Sequence, residues 1–236
     1  MAQKTGKVAM MEDVKISLII PARNESATIK DIITDAKPFI DEILVIDGHS
    51  TDTTREDAES AGARVMLDNR KGKGDGIRVG IRKATGDILV FMDADGSHDP
   101  EDIPRLVQPI LDGKADMIIG SRMTGGSDEL HGDISRFIRL TGSHVLLLLI
   151  NYRWNVRLTD CQNGFRAIKT DVARRIGLTE NVHTIEEEMV MKCLKHGYTV
   201  SEVPSHEYER KYGSSTLNLI GTWYKFVWCI LKNYFW

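Results

Sequence analysis

Several things are scarce in this chain of 236 residues, and each scarcity removes a class of protein. Cysteine occurs three times, at Cys161, Cys193 and Cys229, an odd number with wide gaps and no zinc spacing. That argues against a disulfide-stapled scaffold or a zinc module and points to a reducing compartment. Charge of one sign is missing too, since 31 Lys and Arg face 34 Asp and Glu for a net −3. A nucleic-acid coat would need a basic face to neutralise phosphates, so no nucleic-acid partner is expected. The run VLLLLI at 145–150 falls well short of the ~20 apolar residues that span a bilayer. The opening MAQKTGKVAMMEDVK has no continuous apolar stretch, so residues 1–14 are read as a flexible lead-in, not a signal peptide. Neither GxxxxGK[S/T] nor GxGxxG occurs, which removes the P-loop NTPases and the dinucleotide-binding dehydrogenases.

What remains is the material of one α/β domain. Short apolar runs at ISLII (16–20), EILVID (42–47), ARVML (63–67), DILVFMDAD (87–95) and DMIIG (116–120) suit buried parallel strands. Between them, apolar residues recur at helical spacing, as at Ile29, Ile32, Ile33 and Ala36, and again at Ile77, Ile81 and Ala84. HSTDTT supplies capping side chains before a helix that runs to Gly62, and DPEDIPRLVQPIL starts acidic, as helices do. This alternation predicts a Rossmann-like, mostly parallel sheet flanked by helices. Beyond Arg122 the spacing predicts a helix over 134–150, a strand at GFRAI, a helix at EEEMVMKCLKHG and a strand at YTVSEVP. Residues 15–216 therefore form the domain. The tail 217–236 is read as an amphipathic membrane-interface helix, with Trp223, Tyr224, Trp228 and Trp236 at headgroup depth, giving peripheral attachment, or a membrane anchor if the native chain continues past Trp236. Charge divides elsewhere, within the domain: 24 acidic and 17 basic residues precede position 130, whereas 14 basic and 10 acidic occupy 130–236.

In open α/β sheets ligands bind beyond the carboxyl ends of the strands. Those ends carry Arg23-Asn24-Glu25, Asp47, the loop 69–76 and Asp93-Ala94-Asp95. Two carboxylates separated by one residue after a buried strand can hold Mg²⁺ or Mn²⁺ against a phosphate. A solvated strand end gives the same triplet. The loop Asn69-Arg70-Lys71-Gly72-Lys73-Gly74 could offer amides and ammonium groups to a diphosphate, or be a surface turn. Glu186 and Glu187 read as a solvated helix start, favourable near a helix N-terminus.

The motifs PARNESATI, VIDGHSTDTT, NRKGKGDGIRVGI, FMDADGSHDPEDIPRL, GSRM, TDCQNGFRAI and EEEMVMKCLKHGYTVSEVP occur in one order across residues 15–217. In that order the chain resembles the family 2 glycosyltransferases, and within them the polyprenyl-phosphate (dolichol-phosphate) mannosyltransferase-like enzymes. The resemblance implies a GT-A fold and an inverting, metal-dependent transfer of a hexose. The donor would be a nucleotide-diphosphate sugar, with GDP-mannose the first candidate, and the acceptor a polyprenyl or dolichyl phosphate on the cytoplasmic face of a membrane. It implies that Pro21, Arg23, Glu25, Asp47, Lys73, Gly74, Ala94 and Ser215 line the donor site. It implies that Asp93 and Asp95 hold Mg²⁺ or Mn²⁺. It places Asp160, Arg122, Arg136, Arg166, Glu188 and Arg210 in the catalytic machinery. Two other functions fit the same residues: transfer to a sugar hydroxyl, and a silent nucleotide-sugar-binding protein.

The acceptor decides what chemistry is needed. A sugar hydroxyl must lose a proton as it attacks, which calls for a base. A phosphomonoester is already largely dianionic, its second pKa being about 6, and needs cations instead. Arg136, Arg139, Arg153, Arg157 and Arg166 lie near Asp160 in sequence, so Asp160 is expected to organise arginines or substrate rather than serve as an obligatory base.

Overall fold

The computed structural model describes residues 14–128, 134–210 and 219–235, with side chains described from 142 onward in the second stretch and from 224 in the third. A seven-stranded sheet runs in the order β3-β2-β1-β4-β6-β5-β7. Its strands are β1 (Ile16–Ala22), β2 (Glu42–Asp47), β3 (Arg64–Leu67), β4 (Ile88–Phe91), β5 (Met117–Ser121), β6 (Arg166–Lys169) and β7 (Val200–Pro204). All neighbours are parallel except β6, which runs antiparallel to both β4 and β5. That reversal delivers the segment before Arg166 to the edge where β1, β2 and β4 end.

The strands are apolar on both sides because both faces are covered. Ile19, Leu44, Ile46, Leu89 and Phe91 pack in one core with α3 (Lys73–Lys83), α7 (Thr170–Arg175) and α8 (Ile185–Lys195). Leu18, Ile20, Val45 and Val90 pack in the other with α1 (Ile29–Ala36), α2 (Thr54–Ser60) and α4 (Ile103–Leu111). A long helix, α6 (Ile134–Trp154), and the C-terminal α9 (Leu219–Phe235) pack against each other and against α8. Of the eleven large apolar side chains exposed among the described residues, nine lie on these two helices, among them Leu148, Tyr152, Trp228 and Phe235.

Element order and type follow the sequence reading, and the differences have local causes. Strand β1 continues through Pro21 to Ala22, since a proline near the end of a strand sacrifices only one donor. Helix α1 starts at Ile29 because Ser26–Thr28 form a turn in which the Thr28 and Ile29 amides both donate to the Glu25 carbonyl. Strand β4 stops at Phe91, so Asp93 and Asp95 stand on a loop and not on the strand. The short helices α5 (Arg122–Gly125) and α7 have too few residues to show a period and were not foreseen.

Helix α3 crosses β1 at Gly80, where a β-carbon would sit 2.5 Å from Ile19 Cγ2. Alanine gains helix propensity at most helical positions. Here overpacking outweighs it, and Gly80→Ala is expected to lower unfolding stability by about 1–3 kcal/mol in urea titrations.

Candidate active site

A cavity of about 1420 Å³ opens beyond the carboxyl ends of β1, β2 and β4. Pro21, Arg23 and Glu25 reach it from the end of β1. The backbone there is held by side chains of the loop after β2: the amides of Asn24 and Glu25 donate to Ser50 Oγ at 2.9 Å and Thr54 Oγ1 at 2.8 Å. His49 lines the same wall. Asp47 does not: its carboxylate is fully buried, accepts the Ser50 amide at 3.1 Å and shapes the loop from beneath. Gly74 is likewise behind the wall. A β-carbon on it would meet the carbonyl oxygens of Glu180 and Val182 at 2.6 and 2.8 Å, so its role is to seat α3 against the 180–182 segment.

Asp93 and Asp95 face the cavity with Ala94 between them. Asp95 Oδ1 accepts from the Ser97 amide (3.1 Å) and hydroxyl (2.7 Å), and its Oδ2 lies 3.4 Å from Arg210 Nε. Asp93 Oδ1 is 2.6 Å from Lys73 Nζ, which is 2.8 Å from Glu186 Oε1 on α8. Gly164 makes room for Asp93, since a β-carbon there would approach Asp93 Oδ2 to 2.6 Å. Burial opposes the charge on both partners, but the ion pair wins: Asp93 is held below the usual carboxylate range and Lys73 above the usual ammonium range. At Glu25 the balance goes the other way, although Arg210 opposes it. Burial and the nearby Asp95 push its carboxyl up to about 7.

The other end of the cavity is built on Asp160. Arg122 Nε and Nη2 donate to its two oxygens at 2.6 and 3.1 Å, a bidentate pair, while Nη1 donates to Glu207 Oε1 at 3.2 Å. Burial alone would raise the Asp160 carboxyl, yet Arg122 holds it below its usual range, which leaves it a poor base. Asp160 thus organises an arginine, Arg122, whereas Arg153, Arg157 and Arg166 of the cluster nearer in sequence make no hydrogen bond or ion pair with it. Arg153 stacks near the Trp154 and Tyr234 rings, and Arg157 is exposed.

Two expected catalytic residues are elsewhere. Arg166 is 1% exposed and does not line the cavity; its guanidinium donates to the carbonyls of Asn163, Glu186 and Cys161. Glu188 points to the far side of α8, accepting from the Thr179 and Glu180 amides and pairing with Lys192 at 2.8 Å. The first turn of α8 presents Glu186 and Glu187 instead, and neither is solvated as the sequence suggested: they are 4% and 1% exposed. Burial and the Glu186 carboxylate push Glu187 up to about 8. Successive residues on a helix point about 100° apart, so a run of three acids must split between two faces. That geometry was the available signal. Glu207, which completes the Arg122 cluster, carried none. The Arg136 and Arg139 side chains, Ser215, the Trp223 ring and Trp236 lie outside the described residues.

The cleft at the carboxyl edge of this mostly parallel sheet thus holds paired carboxylates at one end and Arg122, gripped by Asp160 and Glu207, at the other. The chain belongs to glycosyl transferase family 2, whose family model matches residues 17–177. It is 32% identical over 206 residues to a protein of Haloferax volcanii named glycosyltransferase AglJ, covering 85% of this chain. The chain spans 65% of AglJ's own length. It is 31% identical over 222 residues to the undecaprenyl-phosphate mannosyltransferase of Micrococcus luteus, covering 87% of this chain and 88% of that one. Among solved structures, glucosyl-3-phosphoglycerate synthase from Mycobacterium tuberculosis, in complex with Mn²⁺, UDP and phosphoglyceric acid, superposes with a TM-score of 0.76. That match is 22% identical and covers 96% of this chain and 81% of the other. The fold is GT-A.

Two outcomes are expected. Arg166→Met strands three buried carbonyls, so the variant should lose about 3–5 kcal/mol of stability while the folded fraction still binds nucleotide; calorimetry and nucleotide titration separate the two effects. Glu187 has a folded pKa near 8 against 4.5 unfolded, so the folded state binds the extra proton between those values. Its contribution to stability is therefore lost as pH rises from about 5 to 8. Relative to wild type, Glu187→Gln should gain about 1 kcal/mol or more over that interval, read from urea midpoints at pH 5, 6.5 and 8.

Proposed function

We propose that this chain transfers a hexose, with inversion, from a nucleoside diphosphate sugar to a polyprenyl phosphate at a membrane surface. One observation carries the reading. The cavity that holds Asp93 and Asp95 continues past Asp160 between α6 and α9, where Val145, Leu146, Leu147, Phe226 and Val227 line it. On those same helices most of the exposed apolar side chains are concentrated. A water-soluble acceptor would not require an apolar outlet. A lipid-linked phosphate requires both an apolar path for its chain and cations for its head.

The donor end fits a divalent cation. Asp93 and Asp95 are hard oxygen donors on one loop, Gly164 leaves space at the first, and Lys73 and Arg210 already mark both as cation-binding. They would hold Mg²⁺ or Mn²⁺, which neutralises charge on a departing diphosphate. Pro21, Arg23 and Glu25 form the wall for the nucleoside, and Lys73 and Arg210 stand beside the diphosphate. Arg122 faces the acceptor phosphate, held in orientation by Asp160 and Glu207. No base is needed for a phosphate nucleophile, and the depressed Asp160 carboxyl agrees with that. GDP-mannose is the first donor to test, in keeping with the name of the Micrococcus relative.

Among the described residues no helix is long and apolar enough to cross a membrane. The exposed apolar side chains of α6 and α9 support attachment to a membrane surface, with Leu148, Tyr152, Trp228 and Phe235 entering the interface. The protein with Mn²⁺ or Mg²⁺, a nucleotide sugar (GDP-mannose, UDP-glucose or UDP-N-acetylglucosamine) and a short polyprenyl phosphate should yield a lipid-linked sugar; absence of product with every donor refutes the reading. Leu148→Glu with Trp228→Glu should cut sedimentation with anionic phospholipid vesicles by about tenfold or more, without changing the melting temperature or turnover of a detergent-dispersed short-chain acceptor.

A further inference from the structure

Among the described residues, the buried side-chain oxygens that accept no hydrogen bond all belong to Glu186 and Glu187. Glu186 Oε1 has Lys73 at 2.8 Å as an ionic neighbour, whereas Glu186 Oε2 and Glu187 Oε2 have no partner of either kind. Both side chains are more than nine-tenths buried and both line the cavity. An unmatched buried oxygen costs about 1–3 kcal/mol, so two neighbouring ones are a liability unless a ligand completes them.

Their position says which part of a ligand they meet. A chain of contacts runs from Asp93 through Lys73 to Glu186. From Glu187 it continues: Gln162 Nε2 donates to Glu187 Oε1 at 2.6 Å, and the Gln162 amide donates to Asp160 Oδ1 at 3.0 Å. Ser143 of α6 in turn donates to Gln162 Oε1, which fixes the amide's orientation. The two glutamates therefore lie between the carboxylates at the diphosphate end and the Asp160–Arg122 pair at the acceptor end. In a glycosyl transfer that interval holds the sugar ring. Glu187 is also the member kept neutral at ordinary pH. A neutral carboxyl both donates and accepts, which matches a hydroxyl, itself donor and acceptor, better than a cation.

We propose that Glu187, oriented by Gln162, recognises a ring hydroxyl of the donor hexose and helps decide which nucleotide sugar the chain accepts. The inference rests on the glycosyltransferase reading above. Its mechanism is polar matching: a site built to pair a hydroxyl discriminates strongly against an analogue that cannot make the bond.

Titration calorimetry with Mn²⁺ present separates the sugar from the rest of the donor. Wild type, Glu187→Gln and Glu187→Met would be titrated with GDP, UDP, GDP-mannose, UDP-glucose and UDP-N-acetylglucosamine. Glu187→Met is expected to bind the nucleoside diphosphates within about twofold of wild type. It should bind the preferred nucleotide sugar at least about tenfold more weakly. Glu187→Gln, which keeps its hydrogen-bonding atoms, should lose less and change the ranking among the sugars. Glu187→Gln should not melt below wild type, because it removes a buried acid and keeps an acceptor for Gln162 Nε2; a purely structural Glu187 would give a lower melting temperature instead. Equal loss for diphosphate and nucleotide sugar, or no loss for either, overturns the assignment. If wild type binds the diphosphates but no nucleotide sugar, the glycosyltransferase reading itself falls, and this inference with it. Should Glu187→Met fail to fold, an unchanged sugar ranking in Glu187→Gln overturns it alone.

Discussion

Lys73 holds two carboxylates at once, with Asp93 at 2.6 Å and Glu186 at 2.8 Å, and much of the cavity depends on that contact. Asp93, Asp95, Glu25, Glu186 and Glu187 converge on one end of the sheet, where a low dielectric magnifies their mutual repulsion. The cavity relieves this in three ways. Lys73 pairs with Asp93 and Glu186, Arg210 with Asp95 and Arg122 with Asp160 and Glu207, while the Glu25 and Glu187 carboxyls are pushed up to about 7 and about 8. These contacts offset the acids only in part, since five paired carboxylates face three cations.

The same constraint explains the backbone. Lys73 reaches Asp93 because α3 begins flush against the 180–182 segment, where only a glycine at 74 fits. Glu186 meets Lys73 because Arg166 ties the start of α8 to the loop 161–163 through three carbonyls. Neither Gly74 nor Arg166 touches the cavity, yet both determine where its charges stand. Their role is positional, which is why motif order alone suggested direct contact.

The sheet was legible because buried parallel strands read as unbroken apolar runs, and ISLII, EILVID and DMIIG are such runs. The place of Asp93 and Asp95 at the cavity was legible because they directly follow such a run, although a solvated strand end gives the same triplet. Side-chain direction was not. The acids at 186, 187 and 188 are identical in type, and only the rotation of α8 sends the first two inward and the third toward Lys192. Arg166 and Arg122 differ in the same way: sequence proximity favoured the first as a partner of Asp160, whereas the contact belongs to the second, 38 positions away. Long-range pairing of this sort, as with Glu207 on Arg122, leaves no local pattern to read.

The reversed strand β6 has a bearing on how such an enzyme could diversify. Strands β1 to β4 form a continuous parallel unit that leads to Pro21, Arg23, Glu25, Lys73 and the paired aspartates, whereas Arg210 and Glu186, which meet Asp95 and Lys73, lie on segments after β6. On the proposed reading, Arg122, Asp160 and the apolar linings of α6 and α9 reach the cavity from across the β4–β6 boundary. The donor end therefore draws on both sides of that seam, since Arg210 and Glu186 reach Asp95 and Lys73 across it. A chain that altered its acceptor flank would carry the change into the groups that hold its donor, so the two specificities are mechanically tied.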